Sequence, residues 1–534
     1  MGSGRDKRKK AKPRKPGQGA DKTIRKTEAN EDKATRRSGR RTKGGEDDLD
    51  ALLAQFKLQD QTANNVSLKE NTKPPSARVH ASFTPIGTPK DPQIIVFGGE
   101  AEDTVNDKFH TFGDLYLYHC NDNAWTHIQS PKGPAPRTSH QAVHHKGYLY
   151  LFGGEMTSLN MERFRHFRET WRLSLEDWSW EQLPAKKGPA ARSGHRMALW
   201  QNKLIIFGGF HDSGDDRKPV VYYNDVWAFD TDELSWQELA RPDTVPPPPR
   251  GGSQVAVHGD NLYVYGGHRY SVAEDGSETE TVMEDMWQLD LKSLQWQRLK
   301  RQGLAPGARA AFAMVQHRNR AILFGGTTDQ KGRGEKVYSE LHNELFQFSF
   351  DRQRWYPVLL KAPKQQQNAA GTPDDAPGGN TAGLDPSSPL YKAAVRIQSR
   401  YRGYVVRKAF KTYQLGGKSS ELLYSPATYG VDFGAANLIK PRARRNPLMT
   451  VHGNILWMLG GIVEVEDEDV TLDDLWKLDL AKLDGWQCVK ENTQGEEIFR
   501  QHLEAAGASG SGKPSIAEED DSNSDGDDDD DNDD

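Results

Sequence analysis

His140 and His195, together with the trio Glu102, Asp107 and His110, are the side chains of this 534-residue chain whose types suit metal chemistry. Imidazole and carboxylate are ordinary ligands of zinc, copper and non-haem iron. The spacing of Glu102, Asp107 and His110 fits a solvated loop better than a metal cluster. A histidine in a core strand is more often satisfied by backbone than by metal. The only two cysteines, Cys120 and Cys488, leave no disulfide framework or multi-cysteine metal site and suit a reducing compartment. We expect no catalytic residue, no metal and no cofactor, and hence a chain that is not an enzyme.

A second group has the chemistry of recognition. Phe109, His110, Phe112, Phe164, His166, Phe167, Tyr222, Tyr223, His268, Arg269 and Tyr270 cluster in a few polar connecting segments. Aromatic and arginine side chains are the usual anchors of protein interfaces. Such residues bind only if a rigid frame presents them together, so the frame must be found first.

The frame is a repeat. An apolar run closed by Gly-Gly occurs six times, with the pairs at Gly98 and Gly99, Gly153 and Gly154, Gly208 and Gly209, Gly266 and Gly267, Gly325 and Gly326, and Gly460 and Gly461. Counted from the first glycine, a tryptophan follows 26 to 30 residues later, at Trp125, Trp180, Trp236, Trp296, Trp355 and Trp486. Between glycines and tryptophan lies a short apolar-polar alternation such as GDLYLY or NDVWAFD, the period of a half-buried strand. Ahead of most pairs stands Pro-x-x-Arg, ending at Arg78, Arg137, Arg192, Arg250 and Arg309, with a degenerate copy expected near Arg445. Each unit therefore supplies four strands, a to d. Four strands cannot bury both faces alone, but stacked radially they can, and the ring leaves only short edges.

The six repeats resemble the kelch family, and the chain's overall plan is similar to kelch domain-containing proteins with no assigned catalytic activity. The resemblance implies an all-β, six-bladed propeller, with blades 1–5 over residues 66–360 and blade 6 over 441–492. Enzymes of this repeat type carry a Cys-Tyr copper cofactor or a regularly spaced Glu, Asp, His iron cluster; neither constellation is present. In such a ring His140 and His195 would lie near the central channel. Closure is left open between plain face packing and an extra edge strand near 66–69 clasping the last blade. The long b-to-c connections share one face with the d-to-a connections, because an antiparallel chain reverses at every turn. A protein client of unspecified identity is expected there, on Phe109, Phe112, Phe164, His166, Phe167, Tyr222, Tyr223, Arg269 and Tyr270.

Residues 361–440 interrupt the repeat before blade 6. A low-complexity linker leads into a basic amphipathic segment, 392–415, of calmodulin-target composition. That segment resembles an IQ motif on Ile397, Gln398, Arg402, Gly403, Arg407 and Phe410, and the resemblance implies a calmodulin or calmodulin-like partner. By the geometry above, the insertion leaves on the face of the long connections.

The formal net charge of −5 hides a dipolar chain: residues 1–45 hold seventeen Lys/Arg against five Asp/Glu, and 518–534 hold twelve Asp/Glu and no base. A disordered basic tail (1–45) and a disordered acidic tail (493–534) are expected. The basic tail suits nuclear import or nonspecific contact with nucleic acid, and an RNA-associated assembly factor is the alternative function. No apolar run is long enough for a membrane span and no apolar segment follows the basic start, so a protein of the cytoplasm or nucleus without membrane contact is expected. Over residues 46–60, Leu49, Leu52, Leu53 and Phe56 form one helical stripe that should dock, with the propeller itself the favoured surface.

Overall fold

Runs such as Ile94-Ile95-Val96-Phe97 carry no polar alternation because both of their faces are covered; all four side chains are at most 1% exposed. They are the second strands of six antiparallel four-stranded blades in a computed structural model that describes residues 49–62, 65–103, 108–159, 164–184, 187–213, 220–240, 243–272, 278–331, 337–361, 440–465 and 468–495. Named a to d from the axis outward, blade 1 is Ser82–Gly87, Pro92–Phe97, Leu115–His119 and Ala124–Gln129. Blade 2 is Gln141–His145, Tyr148–Phe152, Thr170–Ser174 and Trp180–Leu183; blade 3 is Arg196–Trp200, Lys203–Phe207, Val226–Asp230 and Ser235–Glu238. Blade 4 is Gln254–His258, Asn261–Tyr265, Met286–Asp290 and Gln295–Leu299; blade 5 is Ala313–His317, Arg320–Phe324, Leu345–Ser349 and Arg354–Pro357. Blade 6 is Leu448–His452, Ile455–Val465, Glu468–Asp479 and Trp486–Lys490. The expected six-bladed propeller is what the chain forms. Among the described residues, no helix is long and apolar enough to cross a membrane.

The Gly-Gly pair ends strand b where two backbones converge. In blade 1, Gly98 and Gly99 have φ of 66° and 96°, and a Cβ on them would lie 2.5 Å from the Arg137 carbonyl and 2.7 Å from the Val79 carbonyl. Only glycine tolerates both the conformation and the approach.

The Pro-x-x-Arg arginine locks that corner. Arg250 is fully buried; its Nη1 donates to the Gly266 carbonyl at 3.0 Å and to Asp285 at 2.6 Å, and its Nε donates to the Pro248 carbonyl. The same carboxylate pairing recurs with Arg78 and Asp114, Arg137 and Glu169, Arg192 and Asp225, Arg309 and Glu344, and Arg444 and Asp474, although the buried Nε of Arg309 has no acceptor among the described residues. In blades 3, 4 and 6 a c-strand indole N–H, from Trp227, Trp287 or Trp476, donates to the same carboxylate. Such satisfaction is what makes a buried charge tolerable. In blade 6 the clamp is Arg444, from Pro441-Arg442-Ala443-Arg444. Arg445, the position expected from sequence, instead pairs with half-exposed Asp469.

The clamp also joins neighbours. The second glycine's N–H donates to the next blade's arginine carbonyl from Gly99 to Arg137, Gly154 to Arg192, Gly209 to Arg250 and Gly326 to Arg444. Two residues past each arginine the backbone turns left-handed at His80, Ser139, Gly194, Gly252, Ala311 and Asn446. There Ser139 N–H reaches the His80 carbonyl, Gly194 that of Ser139, and Gly252 that of Gly194, at 3.0 to 3.2 Å. Backbone polar groups facing the axis are thus paired between blades.

Each d-strand tryptophan packs on the preceding blade. Trp180 meets Phe97 at 5.3 Å, Trp236 meets Phe152 at 5.1 Å, Trp296 meets Phe207 at 5.8 Å, Trp355 meets Tyr265 at 4.7 Å and Trp486 meets Phe324 at 5.6 Å between ring centroids. The sixth, Trp125, shares a buried cluster with Leu448, Trp457, Leu459 and Leu475 of blade 6. Each indole removes on the order of 150–250 Å² from water.

That cluster closes the ring by face packing, and among the described residues no clasp strand joins the last blade. The N-terminal strand Ser67–Thr72 pairs instead with strand d of blade 1, Leu68 opposite Ile128, as a fifth and outermost strand. Strand d of blade 6 is already made by the chain's own Trp486–Lys490, so the edge next to the N-terminal strand is the one it covers.

Helix α1, Leu49–Thr62, docks on the propeller as its stripe implied. Leu49 and Leu53 are buried with Met156 and Phe167 of blade 2, and half-buried Leu52 joins them. The Asp60 carboxylate accepts from the Lys132 N–H in the connection between blades 1 and 2.

Candidate functional site

The b-to-c connections are not irregular loops. In blades 1 to 5 each Gly-Gly pair is followed by a second hairpin: Glu100–Asp103 with Lys108–Thr111, Glu155–Thr157 with Phe164–His166, Phe210–His211 with Val221–Tyr222, His268–Val272 with Glu278–Val282, and Thr327–Lys331 with Val337–Leu341. In blade 6 strands b and c extend to form the equivalent hairpin. The six make a crown on one face of the ring. Neighbouring hairpins touch, as where the Phe109 N–H donates to the Leu159 carbonyl.

The crown divides the residues marked for partner binding into two groups. Phe112, Phe167 and Tyr223 lie under the clamp guanidinia of Arg78, Arg137 and Arg192, 4.1, 4.2 and 4.0 Å from the ring centres. Their main role here is cation–π packing inside the blade, and Phe167 is also covered by α1. Buried His166 accepts the Asp212 N–H at Nε2 and lies 4.7 Å from the His211 ring. Arg269 and Tyr270 are exposed, Phe109, Phe164 and Tyr222 are half-buried, and exposed Val221 joins them. A fixed spacing separates the groups: Phe112, Phe167 and Tyr223 each stand two residues before the clamp carboxylate. Recurrence at that offset in successive repeats is a signal that they belong to the frame.

At the mouth of the axial channel the residue after each Gly-Gly forms an inner rim of Glu100, Glu155, Phe210, His268, Thr327 and Ile462, each bridged to the strand entering the a position. Glu100 accepts from His80 Nδ1 at 2.7 Å. Burial, reinforced by the charge of Glu100, pushes the Glu155 carboxyl up to about 8, and its Oε2 lies 3.3 Å from His166 Nε2. Glu155 is therefore largely protonated at neutral pH.

Among the described residues, His140 and His195 belong to no group of three or more possible metal ligands. They lie between blades, at most 1% exposed, each edge-on to a phenylalanine, Phe97 at 5.4 Å and Phe152 at 5.3 Å. Burial, with the charge of Arg137, pulls His140 down to about 3; burial and the charges of Arg192 and Arg196 hold His195 well below the usual imidazole range. A base with a depressed folded pKa contributes stability that is present above its unfolded value and lost as pH falls towards the folded one. The melting temperature should therefore drop as pH falls from about 6.5, and the drop should be shallower in the variant carrying His140→Gln and His195→Gln. Equal slopes in a pH-resolved melting series would contradict this.

Glu102 and His110 sit on opposite strands of the blade 1 hairpin, and Asp107 lies outside the described residues. Among the described residues, no group of three or more possible metal ligands is found. Cys120 lies beyond strand c of blade 1 against the blade 6 seam, and burial pushes its thiol up to about 12; Cys488 is exposed in strand d of blade 6. Neither is near the axis.

The insertion leaves from the d-to-a connection between blades 5 and 6. Its near end is held at the rim, where the Lys361 N–H donates to the Leu483 carbonyl, and its far end returns beside the crown, where the Pro441 carbonyl accepts from Asn343. The departure point is thus the outer rim rather than the crown itself. Residues 392–415, with Ile397, Gln398, Arg402, Gly403, Arg407 and Phe410, the basic tail 1–45 and residues 496–534 of the acidic tail lie outside the described residues.

Comparison with known proteins agrees with this geometry. Host cell factor 1 of Rattus norvegicus is 25% identical over 291 residues, 50% of this chain and 13% of that protein. Host cell factor 2 of Homo sapiens is 23% identical over 305 residues, 52% of this chain and 35% of that protein. Acyl-CoA-binding domain-containing protein 4 of Arabidopsis thaliana is 25% identical over 233 residues, 41% of this chain and 31% of that protein. The chain thus spans little more than a third, at most, of these relatives' length. Residues 391–411 match the IQ calmodulin-binding motif. The KLHDC2/KLHL20/DRC7 kelch-repeats domain matches residues 37–267, 90–326 and 187–372, together more than half of the chain. With the Gly-Gly pairs, the seam tryptophans and the clamp arginines of blades 1 to 5 in their expected places, the chain belongs to this kelch-repeat family.

Proposed function

We propose that this protein is a non-catalytic scaffold that binds a protein client on the crown and a calmodulin-type protein on residues 391–411. The observation that carries the reading is the pairing of a rigid hairpin crown with an IQ match inserted one connection away from it. Rigid elements present side chains with little entropy left to lose on binding. Arg269, Tyr270 and Val221, on adjoining blades 3 and 4, supply the aromatic, cationic and apolar side chains from which interface anchors are drawn. In the IQ match Ile397 is the apolar anchor and Arg402 and Arg407 the basic ones, as the acidic grooves of calmodulin-type proteins require.

Purified calmodulin should be retained by the full chain in calcium, in EGTA or in both, and the Ile397→Asp, Arg402→Glu variant should lose at least about tenfold in affinity. Failure to retain calmodulin in either condition would remove the regulator from the proposal. The crown has its own test: proximity labelling by the intact protein should give a client set that shrinks in the Arg269→Glu, Tyr270→Ala variant. An unchanged set would place the client elsewhere.

A further inference from the structure

Every clamp arginine meets a carboxylate, whereas Arg196 meets none among the described residues. It opens strand a of blade 3, opposite Phe207, at the register position held in the other blades by Ser82, Gln141, Gln254, Ala313 and Leu448. Its Nε donates to Gln254 Oε1 at 3.3 Å and its Nη1 to the His195 carbonyl at 3.1 Å, while Nη2 has no acceptor among the described residues. The neutral acceptors leave the positive charge unbalanced, and nearby Arg192 is already spent on Asp225. A guanidinium does not shed its proton at neutral pH. Burial alone pulls Arg196 down to about 10, with no carboxylate acting against it.

Arg196 lines the axial channel, a cavity of about 440 Å³ that receives side chains from all six a strands. Its walls are mixed: Val143, Met197, Leu199, Val255 and Met314 supply apolar surface, and Ser139, Gln141, His144 and Gln254 stand among them as polar side chains. A concave cavity of that size, with apolar patches, a few polar side chains and one charge without a carboxylate partner, has the make-up of a small-ligand site. At its crown mouth the anionic charge is reduced, since Glu155 is largely protonated.

We propose that the axial channel binds a small oxyanion with an apolar body, a carboxylate or a phosphate ester, with Arg196 as its charge partner. Planar paired N–H donors match two oxygens of either group. The proposed site uses no residue of the crown hairpins or of the IQ match, so its failure would leave the scaffold reading intact.

Calorimetric titration of the full chain with benzoate, phenyl phosphate and inorganic phosphate at constant ionic strength tests it. One saturable site is expected for benzoate or phenyl phosphate, at least about tenfold tighter than inorganic phosphate. Arg196→Gln should weaken it by at least about thirtyfold, and Arg196→Lys should fall between. The idea is overturned if none of the three probes binds the unaltered chain in the millimolar range, or if Arg196→Gln binds as the unaltered chain does. Inorganic phosphate binding as tightly as the aromatic probes would also overturn the apolar body. A measurement that needs no variant is the iodine position in crystals soaked with 4-iodobenzoate: a peak beside Arg196 supports the site, and its absence there defeats it.

Discussion

Arg444→Ala is expected to lower the free energy of unfolding by about 3–5 kcal/mol, the cost of leaving one partner of a buried pair uncompensated. Arg444 is 0% exposed and Asp474 4%. Removal of the guanidinium leaves that buried carboxylate without a counter-charge, with the Trp476 indole N–H still donating to it, and strands the Gly460 carbonyl, to which Nη1 donates at 2.9 Å. The loss should be read by denaturant unfolding followed through tryptophan fluorescence. Adding Asp474→Leu to an Arg444→Met background should recover part of it, because replacing both charges removes the stranded one. Recovery should be incomplete, since the Gly460 and Arg442 carbonyls lose their donor as well. Arg445→Ala is the internal control: its pair with Asp469 is solvent-reached, and exposed pairs contribute about 0–1 kcal/mol. Equal effects for Arg444 and Arg445 would refute the clamp.

The second large effect belongs to the seams. Trp236→Ala should cost about 3–5 kcal/mol, as truncation of a buried aromatic does. The indole fills the space between Phe152 of blade 2 and Phe229 of its own blade, and its Nε1 donates to the buried Thr170 hydroxyl across the seam at 3.0 Å. Trp236→Phe should retain much of the packing yet lose about 1–3 kcal/mol, because the Thr170 hydroxyl is then buried without its donor. Adding Thr170→Val to Trp236→Phe should recover that loss. Additive costs for the two substitutions in a double-mutant cycle would show that the hydrogen bond contributes nothing.

The parts of the fold that were legible are those a six-fold repeat writes several times. The Gly-Gly pairs and Trp125, Trp180, Trp236, Trp296, Trp355 and Trp486 recur because each solves the same problem in each blade: a crowded strand end and a seam to fill. The misreading of Arg445 arose where two arginines stand together, although Pro441 three residues before Arg444 fixes the register. The crown hairpins were hidden because their strands are short and largely polar, as in His268–Val272 and Glu278–Val282, so no alternation of apolar residues announces them. Their pairing follows from the two strands on which they stand. The clasp was not decidable from sequence, since the outer edges of blades 1 and 6 offer an N-terminal strand the same backbone groups.

At the site, exposure was the illegible quantity. Phe167 and Tyr270 are alike as aromatic residues in polar segments, yet one lies under Arg137 and the other faces solvent at 49%. Arg196 went unremarked because nothing in a single sequence tells a balanced arginine from an unbalanced one. That distinction requires knowing which carboxylates lie nearby.

Because among the described residues no blade borrows a strand from another, each boundary between blades is a place where the polypeptide can be cut, rejoined or extended without breaking a sheet. The stretch from 362 to 439 already occupies one such boundary. A permuted gene that begins at the link before Gln141 and joins the old ends through a flexible tether should still specify the same six sheets. It follows that new recognition modules can be acquired at these links while the ring itself stays unaltered.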